Sequence, residues 1–598
     1  MVSQALNFTA TVANDTGNQG VTWSVTGTGT LSAQTATTAT LTGTAAGSAV
    51  VTATSKADVT KSASTTIGTT DLPGVFTYHN NNNRDGSNTR EFALTPSSVT
   101  ESTFGKLFSC NADGAIYAQP LWVPKVNIGG GTHNVIVAAT MRDSVYVFDA
   151  DANPCVTYWS KNLIFSGETY GNQGDVGTGD IFPDIGILGT PVIDSTTGTI
   201  YVVTKTKDNG TTTYHQRIHA LSLTDGSEKF SGPTDITSAI TVPGNGDGSS
   251  GGNVPFSPLR ENQRCGLALF NGVVYVSWAA HGDNPPYHGW IIGYNAADLG
   301  QAPVLFNAAP NGDAAGIWMA GGAPAIELVN VNGVQTPFLY AITGNGSFDT
   351  SKSNYGMSFL KLNANNLAVV DYFAPSNESD LSMNDRDFGS GGAAVLINAN
   401  TGPFPNLVVG GGKDGQLFVL NRDGMGGFNA SSNNVVQTVP FGNAIFATAA
   451  FWNNNLYLAG SGSLKAFAFN SGSSTFNTTP SSQSADTFGF PGSSPSVSSS
   501  GTTNGIVWAM STNAYGTNST PKAAGPALLR AYDATNLNTE LWNSSQASGG
   551  RDTAGNAVKF TLPTVANGKV YVGTRGTDNS IGGGSIFGQI NVYGLLPN

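Results

Sequence analysis

Four of the six histidines fall in two stretches, TTTYHQRIHA and YVSWAAHGDNPPYHGW, among residue types that move protons, hold ions or grip sugars. The second stretch carries Trp278, His281, Asp283, Tyr287, His288 and Trp290, and Pro285 and Pro286 fix its loop. The first carries His215, Arg217 and His219, and Arg264 stands between the two. Imidazole and phenol are general acid–base groups, and His with Asp can ligate a metal. His281, His288, Tyr287, Arg264 and His215 are therefore the catalytic candidates. Trp278, Asp283, Trp290 and Arg217 are the ligand-binding candidates, because aromatic faces stack on sugars and short polar groups bond hydroxyls. The competing assignment is structural: polar anchors that hydrogen-bond long loops in a chain otherwise poor in charge.

A second set is acidic. GETYGNQGDVGTGDIFPDIG holds Glu168, Asp175, Asp180 and Asp184, and SDLSMNDRDFGSGG holds Asp380, Asp385 and Asp387. Oxygen-rich loops with glycine suit calcium, although neither matches EF-hand spacing. Asp180, Asp184, Asp385 and Asp387 are the metal candidates, against solvated loops with Asx turns. A third stretch, Tyr78 to Gly86, is Asn-rich and ends in Arg84-Asp85-Gly86. It either contacts the first repeat or lines one face of the fold, or it is a connector. No CxxC and no phosphate-binding P-loop occurs, no GxSxG string stands at a strand-to-helix elbow, and no GxGxxG string opens a helix. Of Cys110, Cys155 and Cys265, the first two are the favoured disulfide pair, with three free thiols as the alternative.

The elements that position these residues are strands. Charged residues make up 11% of the 598, against about 25% in an average soluble chain. The 76 glycines and the Thr, Ser and Asn content argue against a helical protein. The net charge of -12 disfavours nucleic acid and anionic membrane as partners, and no apolar run is long enough for a spanning helix.

Residues 1–70 alternate Thr and Val at period two in short segments, which predicts a small β-sandwich with Trp23 in its core. It resembles bacterial Ig-like domains lacking the first strand. An open sheet edge there would accept a strand from a neighbour, so self-association through this domain is a further expectation. From 75 to 598 one unit recurs eight times: a small-residue strand, a hydrophobic strand often with Tyr, and a third strand often ending in Asp-Ala or Asn-Ala. AQPLWV, NVIVAAT and SVYVFDA form the first triplet, and TLPTVAN, KVYVGTR and GQINVYG the last. A fourth strand shows as TYWSKNL and TELWNS. Such repetition predicts a β-propeller, with residues 105–111 supplying the fourth strand of the final blade.

Pro120-Leu121, Val135–Thr140, Asp143–Ala150 and Trp159 resemble the repeat of the PQQ-type propellers, the quinoprotein alcohol dehydrogenase-like group. Stretches such as GAIYAQPLWV, RDSVYVFDAD and HGDNPPYHGWIIGYNA also look like those of large secreted bacterial propeller proteins that carry Ig-like domains. The resemblance implies an all-β chain: an Ig-like β-sandwich followed by an eight-bladed β-propeller. It also implies PQQ stacked between a tryptophan and a disulfide of adjacent cysteines, with calcium held by Glu and Asn and an Asp base. This sequence has no adjacent cysteine pair and no CxxCH. The expected role is a secreted or cell-surface binding or scaffold protein for a glycan, polymer or protein ligand. The enzyme alternatives are a quinoprotein-like oxidoreductase and a polysaccharide lyase. No signal peptide is visible, and a secreted chain of this type is expected to have lost one, with some preceding residues.

Overall fold

A computed structural model describes the chain except for residues 393–394, 517–524, 578–586 and 598. Residues 5–69 form two three-stranded antiparallel sheets. Val21, Trp23, Ala39, Leu41, Ala49 and Val51 fill the space between them. Alternation explains this: in Val21–Gly27, Val21, Trp23 and Val25 turn inward while Thr22 and Ser24 face water.

Two two-stranded ribbons aside, eight sheets follow this unit in chain order among the described residues, antiparallel but for parallel edge pairings by Gly427–Phe428 and Ser87–Asn88. Each is built on the recurring triplet, with the second strand paired to both the first and the third. The triplets were legible because the middle strands are buried on both faces and read as runs of Val, Ile, Leu and Tyr. Ala393 and Ala394 of the GAAVLI segment lie outside the described residues. Outer strands such as Thr234–Asp235 and Gln437–Pro440 are short and part exposed, so they carry no such pattern. The last sheet takes its outer strand from the start of the region: Phe104–Ala112 pairs antiparallel with Gly588–Leu595, Cys110 opposite Ile590. Cys110 is disulfide-bonded to Cys155, in the turn before the outer strand of the first blade, across 5.5 Å between Cα atoms. The bond thus ties the closing strand to the neighbouring blade.

The Asn-rich stretch is neither a connector nor a contact with one blade. It runs around the inside of the ring and bonds the innermost strand of each blade in turn. Val75 N–H donates to Trp122 O, Ile193 N–H to Phe76 O, and Asn82 Nδ2 to Leu269 O. Ile326, Leu396, Phe451 and Val497 N–H groups then donate to the carbonyls of Asn82, Asn83, Asp85 and Gly86, and Asn88 Nδ2 donates to Val565 O. Arg84 is wholly buried at the centre of this belt. Its guanidinium donates to Pro324 O from two nitrogens and to Thr77 Oγ1, Tyr78 O and Asn81 O. His79, also buried, bridges Arg84 O and Pro495 O. Unpaired main-chain groups along the inner strands would be costly, and the belt satisfies them.

The N-terminal unit meets the ring on the side of the hairpins that join first and second strands. Met1 N donates to Asn567 Oδ1, and Gln4 and Asn134 exchange side-chain hydrogen bonds. The opposite side carries the connections between blades and the turns between second and third strands. No helix among the described residues is long and apolar enough to cross a membrane.

Candidate ligand-binding site

The side opposite the N-terminal unit holds two adjoining cavities on the ring's upper face. The central one, of about 450 Å3, is lined by residues from the connections entering most blades: Asp180, Arg264, Trp318, Asp387, Ser390, Phe446, Phe490 and Phe560. Gly282, Asp283 and Lys413 join them from turns between second and third strands. The belt lies beneath: Tyr78 shares a small void with Arg264 and Phe560 at the cavity floor.

One wall is aromatic. Phe446 and Phe490 pack edge to face with ring centres 4.9 Å apart, and Phe490 meets Phe560 at 6.4 Å. Arg264 lies 3.9 Å above the Phe560 ring, an arrangement that favours a guanidinium on a π face. The other wall is polar. Lys413 Nζ sits 2.6 Å from both Asp385 Oδ1 and Asp387 Oδ2. Asn345 N–H fixes Asp387 Oδ1 at 2.7 Å, and Asn345 Nδ2 donates to Asp385 at 2.8 Å. Gly344 makes this packing feasible, since a Cβ there would strike Asp387 Oδ1 and the Trp318 ring.

The outer cavity, of about 600 Å3, shares Asp283 and Asp385 with the central one and adds Asp247, Pro285, Tyr287, Asp313, Asn345, Ser347 and Ser382. Burial, then repulsion from Asp387 and Asp385, pushes the Asp283 carboxyl above the usual carboxylate range, and Tyr287 OH donates to it at 2.6 Å. Burial acts on Asp180 in the same sense, but Lys559 at 2.8 Å and Arg264 at 3.6 Å hold its carboxyl below that range.

The sequence candidates divide. Arg264, Asp283, Tyr287, Asp180, Asp385 and Asp387 reach the cavities. Trp278 and Trp290 do not: both are fully buried in the core between the second and third blades, so neither can stack on a ligand. His281 and His288 are buried tethers at the two ends of the loop that carries Asp283. Lys205 Nζ donates to His281 Nε2 at 2.9 Å, and His288 Nε2 donates to Asp247 O at 2.8 Å. His215 and Arg217 stand apart from the cavities, in a cluster with Glu168 and Asp208. Asp184 is paired with Arg142 at 2.7 Å, away from Asp385 and Asp387. Each of the four calcium candidates thus has a cationic partner, and none belongs to a set of three convergent ligands among the described residues.

Trp318, Phe446, Phe490, Phe560 and Lys413 escaped the sequence reading. A signal existed: WMAGGAP, IFATAA, GFPGSSP and KFTLP each place an aromatic just ahead of the small-residue strand. That position in the repeat faces the axis.

No family model matches the sequence, and no curated protein sequence matches it. Solved structures do. A quinohemoprotein alcohol dehydrogenase from Pseudomonas putida HK5 aligns at 12% identity and TM-score 0.52, over 88% of this chain and 80% of that one. A europium-containing methanol dehydrogenase aligns with the same identity and score, over 88% of this chain and 98% of that one. The chain therefore has the β-propeller fold of those structures. The likeness extends to the fold and not to the cofactor seat. Trp318 offers one aromatic wall, but the disulfide lies at the ring's seam and Cys265 is a buried single thiol. The carboxylates a calcium ion would need are engaged by Lys413, Lys559 and Arg264. The residues present do not fit PQQ as that group binds it.

Proposed function

We propose that this chain is a secreted or cell-surface binding protein, an Ig-like sandwich joined to an eight-bladed propeller, that holds a glycan in the paired cavities of its upper face. The observation that carries this is the division of the central cavity into an aromatic wall and a wall of carboxylate, ammonium and hydroxyl groups. A pyranose has the same two characters, an apolar face and a rim of hydroxyls. The volumes fall in the range of about 300–1,000 Å3 typical of small-ligand sites. The belt closes the channel below, so a ligand enters from one side. Screening the full chain on a glycan array tests this: retention of a defined glycan, weakened in Phe490→Ala, is expected. No retained glycan, or a hit that Phe490→Ala binds equally, overturns it.

A second reading is enzymatic, and Asp283 favours it. A carboxyl raised by burial, bonded to a tyrosine and shared by two cavities suits proton transfer. Incubation with acidic polysaccharides, followed by ultraviolet absorbance for unsaturated products, tests it. Activity lost in Asp283→Asn supports a lyase, and no product from any substrate refutes one.

A further inference from the structure

Glu168, Asp208 and His215 lie outside both cavities, on three adjacent strand segments of the second blade. Glu168 opens the strand Glu168–Asn172, which pairs with the end of Thr199–Asp208; His215 lies near the start of Tyr214–Ser222, on the next strand. Their ligand atoms all lie within 4.8 Å of one another. His215 Nε2 is 3.0 Å from Asp208 Oδ1 and 3.8 Å from Glu168 Oε1. With metal–ligand bonds of about 2.0–2.2 Å, ligand atoms of a tetrahedral zinc site stand about 3.4 Å apart, and the two distances bracket that value.

We infer that these three residues form a binding site for a divalent ion of the zinc class, which pins the turn at 208–214 to the strand beginning at Glu168. The charge around it fits. Arg217 pairs with Glu168 and Asp235, and Asp208 lies against His215, so three carboxylates share one guanidinium and two negative charges remain for a divalent ion to offset. Glu168 is already oriented. Arg217 Nη2 donates to Oε1 at 2.6 Å, while Arg217 Nη1 and Thr206 Oγ1 donate to Oε2 at 2.8 and 2.6 Å. A carboxylate oxygen accepts about two bonds, so Oε1 keeps a lone pair for the ion while Arg217 stays in place. Partners of this kind commonly fix metal-binding carboxylates. Lys207 is paired with Asp175 at 2.5 Å and does not compete. The Glu168 side chain is nearly buried, but those of His215 and Asp208 are part exposed, which leaves a path from solvent and room for water to complete the coordination. The imidazole selects the class: nitrogen suits zinc, nickel and copper, whereas calcium takes six to eight oxygens.

The test is calorimetric titration of zinc chloride into the full chain, free of any histidine tag and stripped with chelator, with melting followed in parallel. The inference predicts one ion per chain, a higher melting temperature with zinc, and affinity falling at least about 10-fold in His215→Ala and in Asp208→Asn. Asp208→Asn, at a part-exposed turn, serves if His215→Ala folds poorly. His133→Ala, which removes a surface imidazole near Asp149, should bind zinc as the parent does. Calcium chloride should give no comparable binding. The inference fails if the parent takes up no stoichiometric zinc, if both site variants bind it unchanged, or if His133→Ala abolishes binding instead.

Discussion

Removing the Cys110–Cys155 bond tests how the ring is held shut. The bond joins the outer strand of the last blade to the first blade, across 45 residues of sequence. In the folded chain Cys110 is already held beside the first blade, by the pairing of Phe104–Ala112 with Gly588–Leu595 and by the core those strands share with the first blade. The bond therefore acts on the unfolded chain, and loop-closure entropy for about 45 residues is worth about 4 kcal/mol at 25 °C. The double variant Cys110→Ser/Cys155→Ser should lose that amount in urea unfolding followed by tryptophan fluorescence. Eight of the nine tryptophans lie beyond residue 75, so the signal reports the propeller. Parent protein treated with reductant should unfold at the midpoint of the double variant. Amide exchange should quicken first in residues 104–112, because opening that strand frees two sheet edges. A loss below about 1 kcal/mol in both the variant and the reduced parent would refute the latch and leave closure to strand pairing alone.

Two further outcomes follow from buried charges. Arg84→Ala strips Pro324, Tyr78, Asn81 and Thr77 of a shared donor; at about 1 kcal/mol or more for each unsatisfied buried acceptor, urea unfolding should show a loss of about 3–5 kcal/mol. A loss under about 1 kcal/mol would mean the belt is held by its main chain alone. Burial pushes Lys205 down to about 7, so between there and the unfolded lysine value the unfolded chain binds more protons. Stability of the parent relative to Lys205→Met should therefore rise as pH is raised from 7 towards 10. The opposite slope in paired urea titrations would show that Leu259 O, Glu261 O and His281 favour the ammonium enough to outweigh burial.

How much the residues disclosed depended on where they stand. Val202, Val276 and Leu458 sit mid-strand between two layers of side chains, so the hydrophobic runs that contain them are legible as propeller strands. The belt was opaque because its work is done by main-chain carbonyls and amides, so Tyr78 to Gly86 fitted a blade contact, the lining of one face or a connector. The burial of Arg84 separates these, and burial is not written in the sequence. The loop of His281 and His288 was conspicuous, and in the structure its histidines tether the loop while Asp283 and Tyr287 line the outer cavity. Trp278 and Trp290 misled because a large aromatic in a strand is as well suited to a core as to a sugar. Phe490 and Phe560 were passed over for the converse reason, being apolar residues among many.

The central claim is that ligand is held between the aromatic wall and the Lys413-clamped carboxylates of the upper face. Calorimetric titration of an array-selected glycan into parent, Phe490→Ala and Val334→Ser tests it most directly, the last at an exposed hairpin on the opposite side. Loss of a stacking aromatic should weaken affinity about 5- to 30-fold, worth about 1–2 kcal/mol, in Phe490→Ala and leave Val334→Ser unchanged. Equal affinity in parent and Phe490→Ala, or weakening in Val334→Ser alone, would contradict the account and move the ligand to the other face.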